Sequence, residues 1–262
     1  ALAQPPGIQL ELPERSVQHP LDGLEHELPQ LVYELIGPYL ESARLLGQRT
    51  AELHRALASV TDDPAFTPEP FSTLYQRSLY QSMRNQLLKN FQLLRQQLKR
   101  MPASVQDEAN RALALEQAIL NRFQAVTQTK ITALRTRHHG DYHLGQVLYT
   151  GKDFVIIDFE GEPARSLTER RTKRSPLRDV AGMLRSFHYA AYTGVFEQVD
   201  QSGAAERGQV LSVLEPWAEF WYGWVATTFL QAYLDGAEQA SFLPRTRSEL
   251  RILLDIYVLE KA

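Results

Sequence analysis

Residues 135–163 read RTRHHGDYHLGQVLYTGKDFVIIDFEGEP, and they break with the rest of the chain. His138, His139, Asp141, His143, Gln146, Asp158, Glu160 and Glu162 are gathered there around two short apolar runs. Residues 146–149 and 154–158 have the character of short strands. Thr150-Gly151-Lys152-Asp153 supplies turn residues between them, so the pair reads as a β-hairpin. Ahead of it, Gly140 lets the chain turn tightly while its neighbours stay exposed. Asp141 then projects as a hydrogen-bond acceptor. Gln146 offers an amide oxygen where the first strand starts, and Asp158 ends the second, so the hairpin brings these two side by side.

Outward from this block the apolar period is helical. Residues 39–59 carry Leu45, Leu46, Ala51, Leu53, Ala56 and Leu57 at helical spacing. TDDPAFTPEP, residues 61–70, is a loop broken by three prolines. A long helix over 72–100 places Leu87, Phe91, Leu94 and Leu98 on one face. Pro102 separates it from a second, over 104–129, with Leu113, Glu116, Leu120 and Phe123 in register. After the hairpin, 160–176 reads as an irregular basic loop. A helix starting near Pro176 or Asp179 carries Val180, Leu184, Phe187 and Ala191. The remainder is helical, with its aromatic maximum in EPWAEFWYGWVATTFLQAYL, 215–234. Residues 1–38 are rich in Pro and Gly and hold two extended candidates, 8–12 and 31–36. The expected fold class is mainly α with a small β-hairpin, an α+β arrangement.

Composition bounds the function. A chain of 262 residues with 44% hydrophobic content can bury a sizeable core. No apolar run approaches the roughly 18 residues of a membrane span, and no secretory leader is visible. The absence of Cys excludes disulfides and thiolate metal sites and fits a cytoplasmic protein. A net charge of −3 gives no reason to expect nucleic acid or an anionic membrane as partner.

The chemistry resides in the hairpin. A carboxylate and an amide oxygen side by side, Asp158 and Gln146, are hard ligands suited to Mg²⁺. A second carboxylate set back from them, Asp141, can take a proton from a substrate hydroxyl. One Asp orienting a nucleophile while metal ligands neutralise phosphate oxygens is what phosphoryl transfer from ATP requires. Around this set, Arg165, Arg170, Arg171, Lys173, Arg174 and Arg178 form either a solvated face or a phosphate contact, with Arg165 and Lys173 as the candidates for substrate. Trp217, Trp221, Trp224 and Thr228 fall on one helical face. That stripe is either core or a shelf for a sugar, with Trp217, Trp221 and Tyr222 as the candidate lining. His143 reads as structural.

HGDYHLGQVL followed by IIDFEGEP resembles the catalytic loop and metal segment of the aminoglycoside-phosphotransferase-like kinases, and among them the bacterial maltokinases. YLESARLLGQRTAELHRALA resembles the first helix of that family's C-terminal lobe, and SPLRDVAGMLRSFHYAAY the helix after the metal segment. The resemblance implies a protein-kinase-like C-terminal lobe over 39–262, with a catalytic loop at 138–147 and a metal segment at 154–163. It implies Asp141 as the base, Gln146 (where related kinases more often carry Asn) and Asp158 as Mg²⁺ ligands, and His139 as the residue that shapes the cofactor-binding loop. Asp179 corresponds to a residue that braces the loop; its alternative is a plain helix N-cap.

The same resemblance implies maltose and ATP as substrates, maltose 1-phosphate as product, and a fused or associated trehalose synthase domain. It also exposes a gap. The chain has no glycine-rich phosphate loop, and only Lys89, Lys99 and Lys130 precede Asp141. The expectation is a C-terminal lobe without its N-terminal lobe, with 1–38 as the hinge remnant, cut short at its C-terminus, and poor in ATP binding by itself. The rivals are a kinase for an aminoglycoside, choline or another sugar, and a non-catalytic lobe docked beside a trehalose synthase.

Overall fold

The computed structural model describes Val17, residues 19–201 and residues 207–262. In chain order its elements are α1 (Pro20–Gly23), α2 (Gln30–Ile36), α3 (Tyr39–Ser59), β1 (Glu69–Pro70) and α4 (Thr73–Gln97), which runs on into a 3₁₀ turn, Leu98–Arg100. Then come α5 (Ala103–Ala114), α6 (Glu116–Gln128), β2 (Leu134–Arg135), a 3₁₀ turn at Leu144–Gln146, β3 (Val147–Tyr149) and β4 (Phe154–Ile156). The chain finishes with α7 (Leu167–Arg171), α8 (Leu177–Gln201), α9 (Arg207–Gly236) and α10 (Arg247–Lys261). The mainly helical fold with small antiparallel pairs is the one the periodicity implies.

Several boundaries differ from the sequence reading. Residues 31–36 are helical, not extended: α2 follows Pro29 at its N-cap and stops at Gly37, whose φ of 61° no longer fits a helix. The other extended candidate, 8–12, lies outside the described residues. The single helix expected over 104–129 is two, because Leu115 turns its N–H to Ala112 and the helix restarts at Glu116. The basic loop contains α7, whose capping box joins the Ser166 side chain to the Glu169 N–H and the Glu169 side chain to the Ser166 N–H. The 61–70 loop ends in β1, which pairs antiparallel with β2 through Glu69↔Arg135 and Pro70↔Leu134.

The chain forms two compact units: the described residues up to Arg49 with Ser186–Asp235, and Thr50–Arg185 with Gly236–Ala262. In the first, α9 is buried without interruption from Gly223 to Leu230, as a helix apolar on all sides must be. Phe187 packs edge-on against Phe229 at 5.5 Å, and Leu21, Leu40, Leu46 and Tyr233 complete the core. In the second, α6 packs on α4 and on α10. Met83, Phe123, Val126, Leu253 and Tyr257 are buried. Among the described residues no helix is long and apolar enough to cross a membrane.

Candidate active site

The hairpin's register makes the site. Val147 faces Ile156, Leu148 faces Val155 and Tyr149 faces Phe154. The Ile157 N–H donates to the Gln146 carbonyl at 3.0 Å, so the pairing extends one residue beyond β3. Asp158 is the next residue on. The Gln146 amide nitrogen donates to Asp158 Oδ2 at 3.0 Å, and the amide oxygen is the other arm of the same group. Asp158 has φ of 63°, a left-handed conformation that a non-glycine residue adopts only where surrounding structure imposes it. Its side chain is exposed.

His139 ties the two loops together. Its buried ring meets the Ile157 carbonyl through Nε2 at 2.8 Å and accepts the Asp141 N–H at Nδ1, 3.3 Å away. With Nδ1 accepting, Nε2 carries the proton that is donated. The ring also lies 4.9 Å from Phe159. His139 thus reaches both neighbours of Asp158 while holding the amide of Asp141. The Asp141 carboxylate is 24% exposed and lies 4.0 Å from His143 Nε2. His143 caps the 3₁₀ turn by accepting the Gly145 N–H at 3.0 Å.

Beneath the loop lies the first turn of α8. Asp179 accepts the His139 N–H at 2.6 Å on Oδ2 and the Gly140 N–H at 2.9 Å on Oδ1. His54 Nε2 meets Oδ2 at 3.2 Å. Asp179 therefore braces the loop, and the N-cap alternative is set aside. Burial raises its pKa, but the pull of His138, the His54 hydrogen bond and charge, and the Gly140 amide outweigh it and hold the carboxyl well below the usual range. Burial, with Arg178, Arg174 and His54 nearby, brings the pKa of His138 down to about 4 against the pull of Asp179. His138 is therefore uncharged at neutral pH, and there the His54 contact and the two loop amides hold the Asp179 charge.

Two glycines are needed. Gly140 has φ of 92°, open to glycine without strain. At Gly182, a Cβ would stand 2.5 Å from the Tyr142 carbonyl oxygen, so only glycine lets α8 come this close to the loop. Tyr142 is buried and its hydroxyl meets Thr50 Oγ1 at 2.8 Å.

The basic candidates have other work. Lys173 is 8% exposed, and its ammonium donates to the carbonyls of Pro64 and Thr67 and to Glu69, at 2.6, 2.7 and 2.9 Å. Three acceptors match its three donors, so Lys173 fastens the 61–70 loop. Arg165 directs Nε to Glu162 at 2.9 Å and Nη2 to Glu260 at 3.2 Å, so its fork is engaged with these carboxylates. Trp217, Trp221 and Tyr222 belong to the other unit. There Trp221 lies 5.1 Å from Tyr39, Trp217 lies 6.2 Å from Phe220, and Tyr222 meets His188 edge-on at 5.1 Å. Sequence reasoning placed Arg178 only in a basic run and missed Glu260 and His54; their partners lie 16 to 125 residues away and leave no local signal.

Among the described residues no group of three or more His, Cys, Asp or Glu side chains converges to hold a metal by itself. One carboxylate and one amide suit Mg²⁺, which keeps waters and takes further ligands from substrate phosphates. The donor set therefore fits an ion that arrives with a nucleotide.

No family model matches the chain. A curated glucosamine kinase of Streptacidiphilus jiangxiensis is 28% identical over 95 residues, 36% of this chain and 19% of that protein. Another, of Mycolicibacterium smegmatis (strain ATCC 700084 / mc(2)155), is 33% identical over 102 residues, 38% of this chain and 22% of that protein. Among solved structures, glucosamine kinase in crystal form B aligns with 94% of this chain and 52% of its own at a TM-score of 0.61 and 19% identity. Glucosamine kinase in complex with glucosamine, ADP and inorganic phosphate aligns with 85% and 46% at a TM-score of 0.59 and 20% identity. The chain thus shares the fold of about half of those structures, and the sequence matches cover less than a quarter of each curated relative.

Proposed function

We propose that the chain is the catalytic lobe, over 39–262, of a sugar kinase that transfers the γ-phosphoryl group of ATP to a hydroxyl of maltose. The single observation that carries this is the meeting of Gln146 and Asp158 at 3.0 Å, with Asp141 held by the His139 ring that also bonds Ile157. Asp141 takes the proton of the attacking hydroxyl. Gln146 and Asp158 would hold Mg²⁺, which supplies charge neutralisation at the phosphate oxygens. His139 and Asp179 keep the loop rigid, so that Asp141 does not reorganise when substrate arrives. Residues 1–38 are the hinge in this reading, and a trehalose synthase domain is the partner that would supply maltose.

The curated relatives favour a second acceptor, glucosamine. Both are tested by incubating the protein that carries this chain with Mg-ATP and either sugar, then identifying products by ³¹P NMR. An anomeric phosphate formed from maltose supports the first reading. Phosphorylation of glucosamine alone replaces it with the second, and a folded protein that phosphorylates neither contradicts both.

A further inference from the structure

We propose that Arg178 is a positioning residue for this phosphoryl-transfer site: it fixes the peptide that presents Asp141 and fastens that peptide to Glu162 and to the end of α10. The inference rests on the reading of Asp141 as the base.

Arg178 is 3% exposed and uses each of its three nitrogens. Nη1 donates to the Gly140 carbonyl at 3.0 Å. Nη2 reaches Glu162 at 3.3 Å, four residues past Asp158. Nε and Nη2 hold the two oxygens of Glu260 at 3.1 and 3.3 Å. The Gly140 carbonyl and the Asp141 N–H are the two ends of one peptide group. The first is held by Arg178 and the second by the His139 ring. Asp179, adjacent in sequence to Arg178, holds the Gly140 N–H on the other side. Two consecutive residues of α8 therefore hold the carbonyl and the amide of the one glycine whose φ is 92°. Rotation of that peptide swings the Asp141 side chain, which hangs from the next Cα.

A buried ion pair is a weak stabiliser, often replaceable by apolar side chains without loss. Stability alone therefore does not require an arginine here, whereas gripping both oxygens of Glu260 through two nitrogens while a third nitrogen holds the Gly140 carbonyl uses a planar fork that the single nitrogen of lysine lacks. The surrounding charges fit the same purpose. Glu260 also receives Arg165, and Glu162 receives Arg165 and lies 3.6 Å from Lys261. Both carboxylates are thus fixed before they fix Arg178.

The test is steady-state kinetics on the protein that carries this chain, with Mg-ATP and whichever sugar it accepts, for Arg178→Lys, Glu260→Gln and Asp141→Asn. The expected result for Arg178→Lys is a folded protein whose kcat falls about 30- to 100-fold, the scale of a misplaced catalytic group. KM for both substrates should stay within about threefold, because the lost contact is to the loop and not to a ligand. Wild-type kcat in folded Arg178→Lys overturns the proposal, and so does a rise in KM at unchanged kcat. Should Arg178→Lys fail to fold, Glu260→Gln must lower kcat at unchanged KM, and full kcat there overturns it. Asp141→Asn separates the two readings. Inactive Asp141→Asn beside fully active Arg178→Lys overturns positioning alone. Wild-type turnover in Asp141→Asn overturns the base assignment, and the positioning role with it.

Discussion

The open end of the hairpin and the first turn of α8 lie on opposite sides of one loop and are built on opposite principles. At the hairpin, Asp158 is exposed, Gln146 is half-buried, and the two contact each other. In the α8 turn, Arg178 and Asp179 are buried, and each is surrounded by several partners. The side chains proposed to act on substrate keep capacity for a ligand. Those that aim them have their capacity filled from within the chain. Lys173 is likewise filled from within the chain, by the 61–70 loop.

This contrast predicts that substitutions at the hairpin change turnover without changing stability. Asp158→Asn should lower turnover on the order of 1,000-fold by removing a charged metal ligand. Kinetics across a Mg²⁺ series would show the loss partly offset at high metal, while chemical denaturation gives a wild-type midpoint. A large drop in stability instead would merge the two regions and break the comparison. On the buried side, Asp179→Ala strands His54 and two loop amides. It should lower unfolding free energy by about 3–5 kcal/mol, measured by urea titration.

Lys173→Met should cost less, about 1–3 kcal/mol, because it leaves two loop carbonyls and one oxygen of Glu69 without their donor, while Arg135 keeps the other. Its KM for nucleotide and sugar should match wild type. A raised KM would return Lys173 to the substrate site. The smallest effect is at Glu162. Burial raises its pKa, but Arg165, Lys261 and Arg178 outweigh this and bring it to about 2. Its folded pKa lies below the unfolded one, so its contribution is complete above the ordinary value of 4.5 and is lost as pH falls toward about 2. Glu162→Gln should flatten that acid limb of the stability profile, and an unchanged limb would mean the charge is not held as described.

Much of this was legible because it is local. The spacing of Leu45, Leu46, Leu53 and Leu57 gave α3 to the residue. The turn chemistry of Thr150-Gly151-Lys152-Asp153 gave the hairpin, and with it the neighbourhood of Gln146 and Asp158. Two errors had local signals that were overlooked: Pro29 and Gly37 bracket α2 as a helix, and Ser166 with Glu169 announces the cap of α7. The rest was not readable in any window. Arg178 meets Glu260 across 82 residues, His54 meets Asp179 across 125, and β1 pairs with β2 across the three helices α4, α5 and α6. Such pairings follow from how α4, α6 and α10 pack, and no short pattern encodes them.

The proposed phosphoryl transfer depends on Asp141. Phosphorylation of whichever sugar wild type accepts, maltose or glucosamine, should be measured for Asp141→Asn in the protein that carries this chain, with melting curves as the control for folding. The predicted result is an unchanged melt and a turnover lower by about 100- to 10,000-fold, the range for loss of a general base. Turnover equal to wild type would contradict it.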